Sequence, residues 1–97
     1  MRTIARRTLR EFWRKHRDAG QPLRAWFAEA RSADWNRPAD VNARYRSASF
    51  VGNDRVVFNI GGNKYRLVVA IRYDIGIVFI RFIGTHRQYD KIDPASV

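Results

Sequence analysis

The residues of this 97-residue chain best suited to chemistry lie close together, in the segment Gly84–Lys91. An apolar run ends there in a glycine, and His86, Tyr89 and Asp90 follow within a few positions. Histidine is the side chain whose unperturbed pKa, about 6.5, lets it donate or accept a proton near neutral pH. Two interpretations of His86 are open from the residues alone. It is a general acid or base, or it binds a loop carbonyl, which is the commoner role of a single histidine.

A second group of candidates is cationic and lies on predicted strands. Arg66 and Arg72 share one strand face with Val68 and Ala70, and Arg81 interrupts an otherwise apolar strand. Arginines on a sheet face need a counterion, which is either a surface carboxylate or a phosphodiester bound on a cationic platform, with small Ala70 leaving space above it. Other basic or polar residues that could line this face are Arg44, Arg46, Asn59 and Lys64.

Metal and phosphate-loop chemistry have little support in the sequence. His16 and His86 are the only histidines, cysteine is absent, and the acidic residues are scattered, so no metal site is predicted. The glycine pair in Gly61–Lys64 joins one strand to the next without a following helix, which predicts a hairpin turn and not a phosphate loop. We interpret His16, on the apolar stripe of the first helix, as a packing residue or as a charge at the helix C-terminus.

Two amphipathic helices in tandem are predicted for the N-terminal half, where apolar residues recur at the helical period. The residues Thr8–Glu11 have the types of a capping box, which predicts a helix start. Gly20 is expected to stop this helix in a left-handed conformation, and Pro22 to open the second helix. The aromatic residues at helical spacing are expected in the core: Phe12, Trp13, Trp26 and Phe27. Tyr45 and Tyr89 are then the better candidates for contacts with a base.

From residue 48 onward the apolar period changes to two, which predicts strands. After a break at 34–38 and a short helix to about residue 44, the predicted strands are 49–51, 56–60, 65–73 and 77–83. The last one is apolar at nearly every position, so we expect it to be central and covered on both faces. The N-terminal residues 3–5 are compatible with a strand pairing alongside. The predicted fold class is α+β, with a helical hairpin on one face of a mainly antiparallel, twisted sheet and one domain over residues 1–97.

The charge of the chain points to an anionic partner. Nineteen Lys+Arg against nine Asp+Glu give a formal net charge of +10. Such an excess repels itself unless an anion is the habitual partner, and nucleic acid is the first candidate. No apolar run approaches the roughly 18 residues of a membrane span, and the start lacks the apolar region of a secretory signal. Together with the absence of cysteine, these features lead us to expect a cytoplasmic protein.

Four stretches of the chain carry a family resemblance: Leu9–Trp13, Pro22–Trp26, Asn59–Val69 and Phe82–Ile92. In order and spacing they resemble the HigB-type toxins of type II toxin-antitoxin systems, in the RelE superfamily. The resemblance implies a RelE-like fold and an mRNA endonuclease that cleaves messages on the ribosome without metal or cofactor. It further implies a cognate HigA-type helix-turn-helix antitoxin. The alternative is a non-catalytic toxin on the same fold that binds nucleic acid or poisons gyrase.

The resemblance also assigns roles to individual residues. It implies that Arg66 stabilises the phosphate, that His86 is the general acid or base, and that Tyr89 stacks on a base or assists proton transfer. Asp90 would orient His86 or cap the last turn. Gln88 stands where the motif has an acidic residue, so a carboxylate role there is open. Further RNA contacts are expected from nearby polar and basic residues: Asn59, Lys64, Arg81, Arg46 and Arg87.

Overall fold

Four helices and a five-stranded sheet are present in the computed structural model, which describes residues 1–97. The helices are α1 (Arg6–Lys15), α2 (Gly20–Ser32), α3 (Pro38–Arg44) and α4 (His86–Tyr89). The strands are β1 (Arg2–Ile4), β2 (Ser49–Val51), β3 (Arg55–Ile60), β4 (Tyr65–Arg72) and β5 (Ile77–Thr85). The sheet order is β1-β5-β4-β3-β2, and only β1 and β5 run parallel. The α+β prediction is confirmed.

The start of α1 differs from the sequence prediction. The helix begins two residues before Thr8, its N-cap position is Ala5, and no side chain caps it. The expected capping box at Thr8 is therefore wrong. Glu11 instead accepts a hydrogen bond from Arg7 Nε at 2.9 Å, one helical turn away. The pairing of β1 with β5 ends at Ile4, which leaves a single residue before the helix and so decides where it begins.

The connection between α1 and α2 also differs from the prediction. Gly20 has the right-handed helical angles φ −61° and ψ −53° and is the first residue of α2, so it is not a left-handed stop. A short 3₁₀ turn, Arg17–Ala19, makes the connection. Gly20 is buried, and a Cβ there would lie 3.7 Å from the Trp13 Cβ, an ordinary contact distance, so neither its backbone angles nor the space around it requires a glycine. Pro22 remains in the first turn of α2, where its missing N–H has no helical partner to lose.

The main core lies between the helices and one face of the sheet. On β4 this face carries Tyr65, Leu67, Val69 and Ile71, all of them buried. The helical side contributes large apolar residues, namely Leu9, Leu23, Trp26, Trp35 and Val41. None of the helices is long and apolar enough to cross a membrane.

The central strand is β4, so the prediction that β5 is central and covered on both faces is wrong. Six of the eight β4 residues are buried, against two of the nine in β5. The reason is the shortness of β1, which pairs only with Ile77–Phe79. Beyond these residues, β5 has no strand neighbour on its outer side.

The sheet face turned away from the helices is covered at one end by the last residues of the chain. Arg55 donates from Nε and Nη2 to the carbonyl oxygen of Val97, at 3.1 and 2.7 Å, and Arg81 Nε donates to the same oxygen at 3.0 Å. Ala70 lies on this face and is only 9% exposed. The space expected above Ala70 is therefore not there. The opposite end of the face carries Arg66.

Candidate functional site

A capping box positions the polar residues that follow β5. The Thr85 side chain accepts a hydrogen bond from the Gln88 N–H at 3.2 Å, and Gln88 Oε1 accepts one from the Thr85 N–H at 2.9 Å. These two bonds determine where the strand ends and α4 begins, so His86 is the first helical residue and Tyr89 lies one turn later. Sequence reasoning missed this cap, although the spacing of Thr85 and Gln88 has its signature.

Arg66 lies directly beside this helix. On β4 it pairs with Gly84 of β5 on one side and with Asn59 of β3 on the other. Its guanidinium carbon is 5.9 Å from the centre of the Tyr89 ring, which is within the range of a cation–π contact. No carboxylate lies within 4.0 Å of Arg66. The structure therefore brings together three of the predicted residues, Asn59, Arg66 and Tyr89. Arg66 is half-buried and has no acidic partner.

Arg72 and Arg81, the other two strand arginines singled out from the sequence, are bound elsewhere. Arg72 forms a two-pronged pair with Asp74, at 3.2 and 3.0 Å, which raises the pKa of Arg72 and lowers that of Asp74. Arg81 lies in a β-bulge of β5 and donates to the Val97 carbonyl. Of the three strand arginines expected to form the cationic platform, only Arg66 is bound by neither a carboxylate nor the Val97 carbonyl, and its Nη1 donates a long hydrogen bond of 3.5 Å to the Tyr65 carbonyl.

Lys64 is held by the helical side of the molecule. Its Nζ donates to Asp18 Oδ2 at 2.8 Å, and the Tyr65 hydroxyl donates to Oδ1 of the same carboxylate. These hydrogen bonds lower the pKa of Asp18 and raise those of Lys64 and Tyr65. Asp18 lies in the 3₁₀ turn, so this group ties the β3–β4 hairpin to the helices.

The remaining predicted RNA contacts are exposed and have no acidic partner. Arg87 lies in α4, next to His86. Arg46 precedes β2, whose Ser49 pairs with Val57, so the chain enters β2 from the end of the sheet at which Asn59 lies. Both arginines are further than 4.0 Å from any carboxylate.

Asp90 closes the last turn of α4. Its N–H donates to the His86 carbonyl at 2.9 Å, and its carboxylate makes no hydrogen bond with the imidazole. Asp90 is therefore the C-cap residue of α4, through its backbone N–H. His86 itself is half-buried, and no side-chain hydrogen bond holds its ring.

Tyr45 was expected to contact a base, and the structure contradicts this. Its hydroxyl donates to Glu29 Oε2 at 2.8 Å, and its ring packs edge-on against Phe58 with 5.1 Å between the centres. Burial and the Glu29 carboxylate raise the pKa of Tyr45. The residue belongs to the core, whereas Tyr89 is the tyrosine beside Arg66.

The arrangement has the parts needed for phosphate chemistry at one end of the sheet. A guanidinium without an acidic partner can bind a phosphodiester, and an imidazole in the adjoining helix can exchange protons. No group of three side chains that could hold a metal ion is present.

Comparison with known proteins identifies one family. The HigB_toxin family model, described as the RelE-like toxic component of a toxin-antitoxin system, matches residues 19–92. The match covers more than half of the chain and includes β2 to β5 and α4. No curated protein matches the chain significantly.

Proposed function

This chain belongs to the HigB toxin family, the RelE-like toxic components of toxin-antitoxin systems, and we propose that it is an mRNA endonuclease. Membership in the family implies an antitoxin partner. We further propose that residues 1–97 act as one toxin domain in the cytoplasm, and that a HigA-type helix-turn-helix antitoxin neutralises it.

The observation that carries the proposal is the position of Arg66. Of the three strand arginines singled out from the sequence, Arg66, Arg72 and Arg81, it is the one that neither a carboxylate nor the Val97 carbonyl binds, and it lies against α4, the helix that contains His86. A half-buried guanidinium retains a strong attraction for an anion, because less water screens it. A scissile phosphate bound at Arg66 would lie beside the residues most able to move protons.

The proposed reaction uses the RNA's own ribose. The 2′-oxygen attacks the adjacent phosphorus and gives its proton to a base, the bond from phosphorus to the 5′-oxygen breaks, and the leaving oxygen takes a proton from an acid. The products are a 2′,3′-cyclic phosphate and a 5′-hydroxyl. His86 serves one of the two proton transfers, and Tyr89 assists the other or stacks on a base. Arg66 stabilises the charge that develops on the phosphorane oxygens.

The remaining RNA contacts are assigned according to whether another group of the protein already binds each side chain. Asn59 beside Arg66, together with exposed Arg46 and Arg87, would bind the neighbouring backbone. Lys64 and Arg81 would contribute at the margin, since other groups already bind both. The net charge of +10 supports action on the ribosome, whose RNA is a large polyanion.

The experiment is induction of the toxin in cells, with message cleavage and growth as readouts. His86→Ala and Arg66→Ala should each lower cleavage by at least about 10²-fold, the usual contribution of an acid–base group or an oxyanion-stabilising contact. Thermal unfolding of the purified variants checks that they fold. Cleavage of purified RNA with and without ribosomes tests the ribosome requirement. Full cleavage by both variants would overturn the proposed site, and growth arrest that survives without cleavage would favour a non-catalytic toxin.

A further inference from the structure

A cleft of about 650 Å³ opens between α1 and the outer edge of β5. Its volume is within the range of about 300–1,000 Å³ in which proteins bind small ligands. The lining residues that matter here are aromatic, cationic or amide: Phe12, Arg14, Lys15, His16, Phe82 and Gln88.

The cleft exists because the sheet is incomplete at this edge. The short strand β1 pairs only as far as Phe79, so β5 continues for six residues without a neighbour on its outer side. Helix α1 lies across the gap and supplies the opposite wall. No part of the chain fills the space between them.

The charges of the cleft favour an anionic occupant. Arg14 and Lys15 are exposed, and neither lies within 4.0 Å of a carboxylate. The one acidic residue in the lining, Glu11, is already bound by Arg7 at 2.9 Å. The two cations therefore remain available for phosphates.

The aromatic residues add surfaces on which a base can stack. The rings of Phe12 and His16 are stacked on each other at 4.4 Å, and Phe82 lines the cleft from β5. Cations that follow a backbone, alternating with aromatic rings, are the features by which proteins bind single-stranded nucleic acid. An acidic peptide would use the cations alone, so the rings favour RNA.

The cleft borders the site at Arg66 through Phe82 and Gln88. The Phe82 ring lies over Gly84 so closely that a Cβ at Gly84 would be 2.5 Å from Phe82 Cζ. Gly84 is the cross-strand partner of Arg66. On the helical side, Gln88 lines the cleft and immediately precedes Tyr89. A strand of RNA bound at Arg66 can therefore continue past Phe82 into the cleft.

We propose that this cleft binds a nucleotide of single-stranded RNA next to the scissile phosphate. The base packs against Phe82 and the Phe12–His16 pair, and the backbone phosphates contact Arg14 and Lys15. The proposal rests on the proposed function, because it takes the phosphate bound at Arg66 as its starting point.

The test measures binding separately from cleavage. The probe is a fluorescein-labelled single-stranded RNA of eight nucleotides with 2′-fluoro groups, which lacks the attacking hydroxyl. Arg14→Gln/Lys15→Gln should weaken its binding about tenfold and lower the slope of log K against log salt by about 1.4, which corresponds to two phosphate contacts at about 0.7 each. Phe82→Leu, which keeps an apolar side chain but removes the ring, should weaken binding at least about fivefold.

The matched control is Arg24→Gln/Arg31→Gln. It removes the same charge from α2, where these arginines line a different hollow beside Phe27, and it should change affinity less than about twofold, since it removes no assigned phosphate contact. Equal losses in the two double variants would mean that only overall charge matters, and would overturn the proposal. Unchanged RNA binding by the cleft variants would also overturn it, and their loss of antitoxin binding would then show a protein occupant. A further outcome separates the two proposals. If the wild-type protein cleaves no RNA, and the cleft variants but not the control variant bind the probe more weakly, the proposed nuclease activity fails and the proposed binding site stands.

Discussion

Replacing Gly84 by alanine tests the close packing that connects β5, α4 and the proposed site. The backbone angles of Gly84 are open to any residue, so the effect comes from space alone. The added Cβ would lie 2.5 Å from Phe82 Cζ and 2.8 Å from Gln88 Oε1. Ordinary contacts of a Cβ begin at 3.4 Å. Both side chains must therefore move.

The size of the effect follows from these distances. Phe82 must shift by about 0.9 Å and Gln88 by about 0.6 Å to restore ordinary contacts. A shift of that size stretches the Gln88 bond to the Thr85 N–H from 2.9 Å to about 3.5 Å, the limit of a hydrogen bond. Loss of a helix cap costs about 0.5–2 kcal/mol, and overpacking costs about 1–3 kcal/mol. Because both describe relief of the same clash, we expect Gly84→Ala to lower the free energy of unfolding by about 1–3 kcal/mol.

The assay is thermal unfolding, followed by RNA cleavage at a temperature where the variant is folded. The melting temperature should fall by roughly 4–24 °C, since 1 kcal/mol corresponds to about 4–8 °C in a chain of this size. Cleavage should fall about tenfold or more, because α4, which carries His86 and places Tyr89 against Arg66, loses its cap. Gly52→Ala is the matched control, since a Cβ there meets Ala95 Cβ at an ordinary 3.8 Å. It should change stability by less than about 0.5 kcal/mol.

A second variant separates the clash from other effects of the added methyl group. Phe82→Leu removes the ring atoms that Gly84→Ala would strike, so the double variant should recover part of the stability that Gly84→Ala loses. If Gly84→Ala melts and cleaves like the wild type, the packing argument is refuted. If Gly84→Ala is destabilised but the double variant recovers no stability, the added methyl group does not displace the Phe82 side chain.

Two further predictions concern charged pairs. Hydrogen bonds from Lys64 and Tyr65 lower the pKa of Asp18, so its contribution to stability is present above the unfolded pKa, near 3.8, and is lost as pH falls through the folded value. Asp18→Asn should therefore lose stability at neutral pH and show a shallower further loss below pH 4, as urea unfolding across that range will measure; an unaltered pH profile would contradict the assignment. Arg72→Gln breaks only the exposed pair with Asp74, so RNA cleavage should stay within about twofold of wild type and stability within about 1 kcal/mol; a large loss of cleavage would mean that the free strand arginine is not the one that matters.

Much of the fold could be predicted from local patterns. The change of apolar period from the helical spacing to two separates the helical half from the sheet, and the hairpin turn at Gly61–Lys64 occurs where expected, with positive φ at Gly61 and Gly62. Helix α3 begins at Pro38 as predicted. The errors in element boundaries lie at Thr8 and Gly20, where the next element along the chain decides the boundary.

The sequence by itself determined the element types, the charge, the family resemblance and the cluster of reactive side chains after β5. All of these depend only on residue types and short spacings along the chain. The tertiary structure alone decided which strand is central and which cations are free. Lys64 looks as available as Arg66 in the sequence, yet Asp18, 46 residues away, binds it. Arg81 is likewise bound at Val97. Pairs between residues so distant in sequence depend on how the sheet and helices pack together, and the local spacing of apolar residues does not predict this packing.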